Sequence, residues 1–183
     1  MTTWFSSDFH LDHHNIIKSC NRPFSSVHDM NEVIINNINE LVDENDTLWF
    51  LGDFTFRRAN SIAQHRNKIK CKHIHLIYGN HDEKFISKHF ETARDYAKIK
   101  IEEQKIILFH YPIAVWDCKH YGSWNLCGHS HGNYPPSLPN NTTNGLCLDV
   151  GVDVHDFKPL SFEQVKIIMT NKQKMMNIVQ QIE

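Results

Sequence analysis

Apolar and polar positions along this chain follow two periods. A short apolar-rich run from Thr2 to Ser7 stops at Asp8. Two further runs repeat that form: Thr47-Leu48-Trp49-Phe50-Leu51 stops at Gly52-Asp53, and His73-Ile74-His75-Leu76-Ile77-Tyr78 stops at Gly79-Asn80-His81-Asp82. Each reads as a buried strand closed by polar residues. Between them, Val27, Met30, Val33, Ile34, Ile38 and Leu41 recur at helical spacing and predict an amphipathic helix over residues 28–42, with a second helix over residues 59–68. Strands alternating with helices predict a layered α/β domain.

The second half is richer in strands. Tyr96 to Ile101 and Lys105 to Phe109 predict a pair joined by Glu102-Glu103-Gln104, the second delivering His110. Trp124 to Cys127 leads into Gly128-His129-Ser130-His131. Residues 133–145, with Pro135, Pro136, Pro139, Asn140, Asn141 and Asn144, predict a loop. Leu146, Leu148, Val150, Val152 and Val154 then alternate with Cys147, Asp149, Gly151, Asp153 and His155, the period of one strand. Ser161 and Glu163 start a last helix running past Met169, and the tail after Asn171 is polar, a composition that permits fraying. With no repeat, low-complexity run or linker, residues 1–183 are expected to form one domain.

Composition narrows the function classes. Apolar residues make up 40% of the 183, enough for a core. The formal net charge of −2 gives no basic field for wrapping nucleic acid. The one basic cluster, Arg57-Arg58 with Arg66, Lys68, Lys70 and Lys72, is explained as well by a solvated helix face. No apolar run approaches the roughly 18–20 residues of a membrane span, so no membrane partner is expected. The five cysteines form no CxxC pair, and the chain opens directly on a strand-like run, which together predict reduced thiols in a cytoplasm.

Histidine changes the picture most, at 14 residues. Asp8-Phe9-His10, Gly52-Asp53, Gly79-Asn80-His81-Asp82, His110 and Gly128-His129-Ser130-His131 offer as ligands two Asp (Asp8 and Asp53), one Asn and four or five His, with no thiolate. That is too many ligands for one tetrahedral ion and suits two ions sharing a carboxylate. The nitrogen and oxygen donor set suits Mn, Fe or Zn and disfavours Mg or Ca; it does not choose among the three, and Mn is taken as the working choice. Each motif follows a predicted strand, where sites of open α/β sheets gather.

The ordered series Asp-x-His, Gly-Asp, Gly-Asn-His-Asp, His, Gly-His-x-His resembles the calcineurin-like metallophosphoesterase superfamily, in particular its small bacterial and phage members. All five blocks occur in order from Asp8 to His131, and Arg22-Pro23-Phe24 and the stretch from Leu146 onward add to the likeness. The resemblance implies a layered β-sandwich flanked by helices (an αββα fold) with two metal ions. One ion would be held by Asp8, His10, Asp53 and His131, the other by Asp53, Asn80, His110 and His129, with Asp53 bridging. The family pattern leaves His81 off the metals as proton donor. Asp82 either orients His81 and raises its pKa or caps a following helix.

The implied chemistry is phosphoester hydrolysis, with a hydroxide held between two cations attacking phosphorus in line. The expected substrate is a small phosphorylated molecule, a nucleotide among them. A nuclease acting on DNA or RNA ends and a metal-binding scaffold without catalysis are the alternatives. Arg22 and His13 are candidate substrate contacts, Arg22 as a fork onto phosphate and His13 at the pocket rim, whereas His14 reads as an exposed helix start. Tyr111 and Trp116 are candidates to stack a base, against the commoner fate of core packing. Asp149 and Asp153 share a strand face as partners of histidine N–H groups or as solvent-facing residues, the latter preferred for Asp153. Specificity is expected in loops around residues 11–24, 54–60 and 112–123.

Overall fold

The computed structural model describes residues 1–56, 59–133 and 145–180. Arg57, Arg58 and most of the loop expected over residues 133–145 lie outside the described residues. The first sheet holds β1 (Thr3–Ser6), β2 (Thr47–Phe50), β3 (His73–Ile77) and β4 (Thr92–Arg94), all parallel, and is closed by β9 (Leu160–Ser161) antiparallel to β1. The second sheet runs β5 (Tyr96–Ile101), β6 (Gln104–Phe109), β7 (Trp124–Cys127), β8 (Cys147–Asp149), with β5–β6 antiparallel and the rest parallel.

Alternation along the strands divides the core in two. Leu48, Phe50, Ile74 and Leu76 pack with α2 (Val27–Leu41) and α3 (Ala59–Lys68) through Met30, Ile34, Ile38 and Ile62. Phe5, Leu51 and Ile77 face the second sheet's Ile106, Leu108, Leu126 and Leu148, and α4 (Phe162–Gln180) joins this core with Val165 and Met169. Parallel sheets need both faces covered, and the expected layered sandwich flanked by helices is the observed architecture. The helix starts are built locally. Ser26 Oγ accepts from the Asp29 amide at 3.1 Å at the head of α2. At α4, Ser161 and Gln164 cap each other reciprocally, at 2.8 and 3.3 Å.

One expectation fails for an identifiable reason. The strand expected over residues 146–155 ends at Asp149, and Val152–Val154 form a 3₁₀ turn. Asp149 causes the break: its Oδ1 accepts the Gly151 amide at 2.8 Å, turning the chain. Beyond Asn171 the chain stays helical to Gln180. The short elements β4, β9 and α1 (His14–Ser19) are too brief to show a period. Among the described residues, no helix is long and apolar enough to cross a membrane.

Asp46, just before β2, fixes the near end of the β1–β2 pair. Its carboxylate accepts from the Thr2 amide at 2.6 Å, the Trp4 indole at 2.9 Å and the Asp43 amide at 3.2 Å. Burial pushes its pKa up, but these donors outweigh burial and hold it below the usual value. Asp46→Ala should lower stability by about 2–3 kcal/mol through orphaned donors, a fall in Tm of several degrees. Because the folded pKa is depressed, this contribution is present above the ordinary carboxylate pKa and is lost as pH falls through the folded value. The difference between wild type and variant in thermal melts should therefore close in acid, and equal Tm at pH 7 would show that the tie carries no stability.

Candidate metal centre

All the motif loops leave the carboxyl ends of their strands at one rim: Asp8 and His10 after β1, Asp53 after β2, Asn80 and His81 after β3, His110 after β6, His129 and His131 after β7. The β1 and β2 loops remain hydrogen-bonded beyond the strands, Asp8 N–H to Gly52 O at 2.9 Å, His10 N–H to Asp53 O at 2.9 Å and Leu11 N–H to Phe54 O at 3.1 Å. Asp8, His10, Asp53, His129 and His131 all have left-handed backbones, with φ of 60, 49, 60, 67 and 46°. Such a conformation costs a non-glycine residue about 1–2 kcal/mol, and its concentration here marks a site whose geometry is imposed by its surroundings. Two glycines make room. A Cβ on Gly128 would collide with Ser7 Oγ and Asp8 Oδ2, and one on Gly79 with Asp53 Oδ1.

The seven candidate ligands converge. Asp53 Oδ2 lies 3.5 Å from both His10 Nε2 and His110 Nε2, while Oδ1 accepts the His81 amide at 2.9 Å. His110 Nδ1 meets Leu51 O at 2.7 Å, which turns Nε2 toward Asp53 and toward Asn80 Oδ1 at 3.1 Å. Among the described residues, ligand atoms of Asp8, His10 and His131 cluster within 4.8 Å of one another, as do those of Asp53, His110 and His129. The Asp8 carboxylate also accepts the His129 amide at 3.0 Å. His10 Nε2 is buried without a hydrogen-bond partner. An orphaned buried imidazole nitrogen facing two carboxylates fits a cation and little else.

Electrostatics carry the same mark. Burial pushes Asp8 up to about 7, against the lowering pull of His110 and His131. Burial drives His10 down to about 3. At Asp53 burial also acts upward, but His110 and His10 overcome it and bring the group down to about 2. At His131 burial acts downward and is overcome by Asp153, Cys20 and Asp8, leaving it at about 10.

No protein-family model matches the chain. It is 31% identical over 169 residues to the uncharacterized protein MJ1445 of Methanocaldococcus jannaschii, covering 91% of this chain and 90% of that protein. Its fold is similar to the protein of unknown function AQ665 from Aquifex aeolicus, at 24% identity and a TM-score of 0.74, over 91% of this chain and 98% of that one. A fainter likeness, at 20% identity and a TM-score of 0.46, is to the Pseudomonas putida nuclease MPE, over 70% of this chain and 61% of that one. The five motif blocks thus stand intact, in order, at one rim of a helix-flanked double sheet. The chain belongs to one family with MJ1445.

Around this candidate metal centre, several residues depart from expectation. Arg22, expected as a substrate contact, is turned into the fold. Its guanidinium is buried and its donors are taken by Asp153 at 2.7 and 2.8 Å, Phe9 O at 2.9 Å, Asp8 O at 2.8 Å and Met30 Sδ at 3.3 Å. Asp153, expected to face solvent, holds Arg22 on one side and His131 Nδ1 at 2.6 Å on the other. It fixes the His131 ring with Nε2 free for a metal. The misreading followed from the strand expected there, since the 3₁₀ turn points Asp153 inward. Asp149 accepts the amides of Gly132 and Gly151 and so supports the last loop.

Asp82 neither caps a helix nor reaches the His81 ring in any hydrogen bond. It accepts the amides of Asp53 at 2.8 Å, Phe54 at 3.0 Å and Gly79 at 2.9 Å, tying the β2 and β3 loops together. His13 stands at the rim with Nδ1 3.5 Å from His10 Nδ1, and His14 is the exposed first residue of α1. Trp116 is core, its indole bound to Ser123, whereas Tyr111 is partly exposed and packs on His129 with ring centroids 4.7 Å apart.

Two outcomes follow. Asp153→Asn should weaken metal binding about 10–100-fold, measured by competition with a chelator; unchanged affinity would show that His131 is oriented without it. With Asp8 at about 7 and His131 at about 10, both hold a proton in the metal-free protein below pH 7. A cation must displace both, so affinity should fall about tenfold per pH unit between pH 9 and 7 and more steeply below. Metal content indifferent to pH from 8 to 5 would contradict this.

Proposed function

We propose that this protein is a metal-dependent phosphoesterase hydrolysing the phosphomonoester or phosphodiester bond of a small phosphorylated substrate such as a nucleotide. The observation that carries the reading is the Asp53 carboxylate, with one oxygen equidistant, at 3.5 Å, from imidazole nitrogens of both ligand groups. Asp8, His10, Asp53 and His131 would hold one divalent cation and Asp53, Asn80, His110 and His129 the other, Mn being favoured and Fe or Zn fitting the same donors. When bound, the pair supplies positive charge that activates water and neutralises phosphate oxygens.

The protein's own groups supply the rest. Asp53 remains ionised at any working pH, its carboxyl being held at about 2. His81 is exposed at the mouth, its ring edge-on to His10 at 5.3 Å, and its backbone N–H donates to Asp53 Oδ1 at 2.9 Å. That position suits a proton donor to the leaving oxygen. Arg22 is spent inside the fold, so substrate phosphate is held without it. Arg66 donates to the carbonyls of His89, Ile69 and Lys72, and Lys68 and Lys72 pair with Glu32 and Glu44. These bonds occupy much of the one basic cluster and favour a small substrate over a nucleic-acid duplex. The free thiols of Cys20, Cys71 and Cys118 fit a reducing compartment such as the cytoplasm.

Protein loaded with Mn should cleave a generic phosphomonoester or phosphodiester. His81→Asn should lower kcat about 10²–10⁴-fold with metal content unchanged, and Asp53→Asn should lose both metal and activity. Cleavage of neither ester, or an undiminished rate in His81→Asn, would defeat the proposal.

A further inference from the structure

Three rings stand beside the exposed His81. His10, Phe56 and His13 have centroids 5.3, 5.3 and 6.0 Å from it. Phe56 lies flat on His13, centroids 3.8 Å apart and planes 7° from parallel. Its side chain is nevertheless 50% exposed, a large apolar ring kept at the rim of a polar cluster. The ring is not carried by a loose loop. The Phe56 amide donates to Leu11 O at 3.0 Å, and the buried Thr55 hydroxyl donates to the same carbonyl at 2.9 Å. Phe56 is therefore a fixed apolar plate beside the candidate proton donor, backed by His13.

We propose that Phe56 stacks on the base of a nucleoside leaving group. The inference rests on the phosphoesterase reading in one respect: a proton donor lies within hydrogen-bond reach of the leaving oxygen, about 3 Å, so whatever that oxygen carries passes Phe56. A ring bonded directly to the oxygen would lie against His81 itself. A base set off by a sugar reaches the outer side of the plate, and stacking on such plates tolerates any base because each has a π-face. His13 is then a positioning residue that holds Phe56 flat. Tyr111 sits against His129 in the other ligand group and is the natural control.

The test compares Mn-loaded wild type, Phe56→Ala, Phe56→Leu and Phe56→Tyr on adenosine 5′-monophosphate and glycerol phosphate. The ratio of kcat/KM for the nucleotide over glycerol phosphate should fall about tenfold in the Ala and Leu variants, through KM, and stay within about twofold of wild type in Phe56→Tyr. A second arm needs no turnover. In Mn-loaded His81→Asn protein, Phe56→Leu should weaken binding of adenosine 5′-monophosphate about tenfold relative to inorganic phosphate. If no ester is hydrolysed but this binding difference holds, the reaction is wrong and the stacking plate stands. Equal losses for nucleotide and glycerol phosphate, equal losses for nucleotide and phosphate, or a nucleotide preference lost instead in Tyr111→Ala would each overturn the proposal.

Discussion

The parallel pairing of β1 with β2 continues past the point where both stop being strands. The amides of Asp8, His10 and Leu11 reach across to Gly52, Asp53 and Phe54, and the Phe56 amide reaches back to Leu11. Two loops that would otherwise be independent are zipped into one rigid ridge. That ridge carries Asp8, His10 and Asp53 on its inner side and Phe56 on its outer side. Keeping the bonds while aiming the side chains inward forces left-handed backbones at Asp8, His10 and Asp53. The strain and the site therefore have one cause.

The ridge also explains the charges. It buries two carboxylates and an imidazole whose Nε2 has no hydrogen-bond partner. Burial works against Asp8 and His10 while His110 and His131 gain from the acids beside them. Without cations these demands conflict. A bound divalent ion meets them together, since it prefers the ionised carboxylate and the neutral imidazole.

Much of this was legible in the chain. Buried strands ending in Asp8, Asp53 and Asn80 announce themselves because a run of apolar residues and an abrupt polar stop are both local features. The register that brings His129 within reach of Asp8 follows from the fold class once the strands are known. What stayed hidden is whatever depends on a partner far along the chain. Arg22 looks like a phosphate fork until Asp153, 131 residues away, is seen to fill it. Asp82 looks like a companion of His81, yet its oxygens serve amides of two separate loops. Asp153 was misplaced because five alternating valines and leucines imitate a strand, and only the side-chain bond of Asp149 to the Gly151 amide breaks it. Phe56 carries no motif. Its role appears only when its ring is found on His13.

The clasp formed by Arg22 and Asp153 bears on how the chain is made. Arg22 grips the carbonyls of Asp8 and Phe9, and Asp153 grips Arg22 and His131 together. During synthesis the amino-terminal motif leaves the ribosome long before residue 153 exists. Until then Arg22 has its carbonyl partners but no counter-ion, and the left-handed turn at Asp8 lacks its brace. The first loop to be synthesised is thus among the last to be shaped, and a nascent chain halted short of residue 153 would expose its acids and imidazoles without holding them in order.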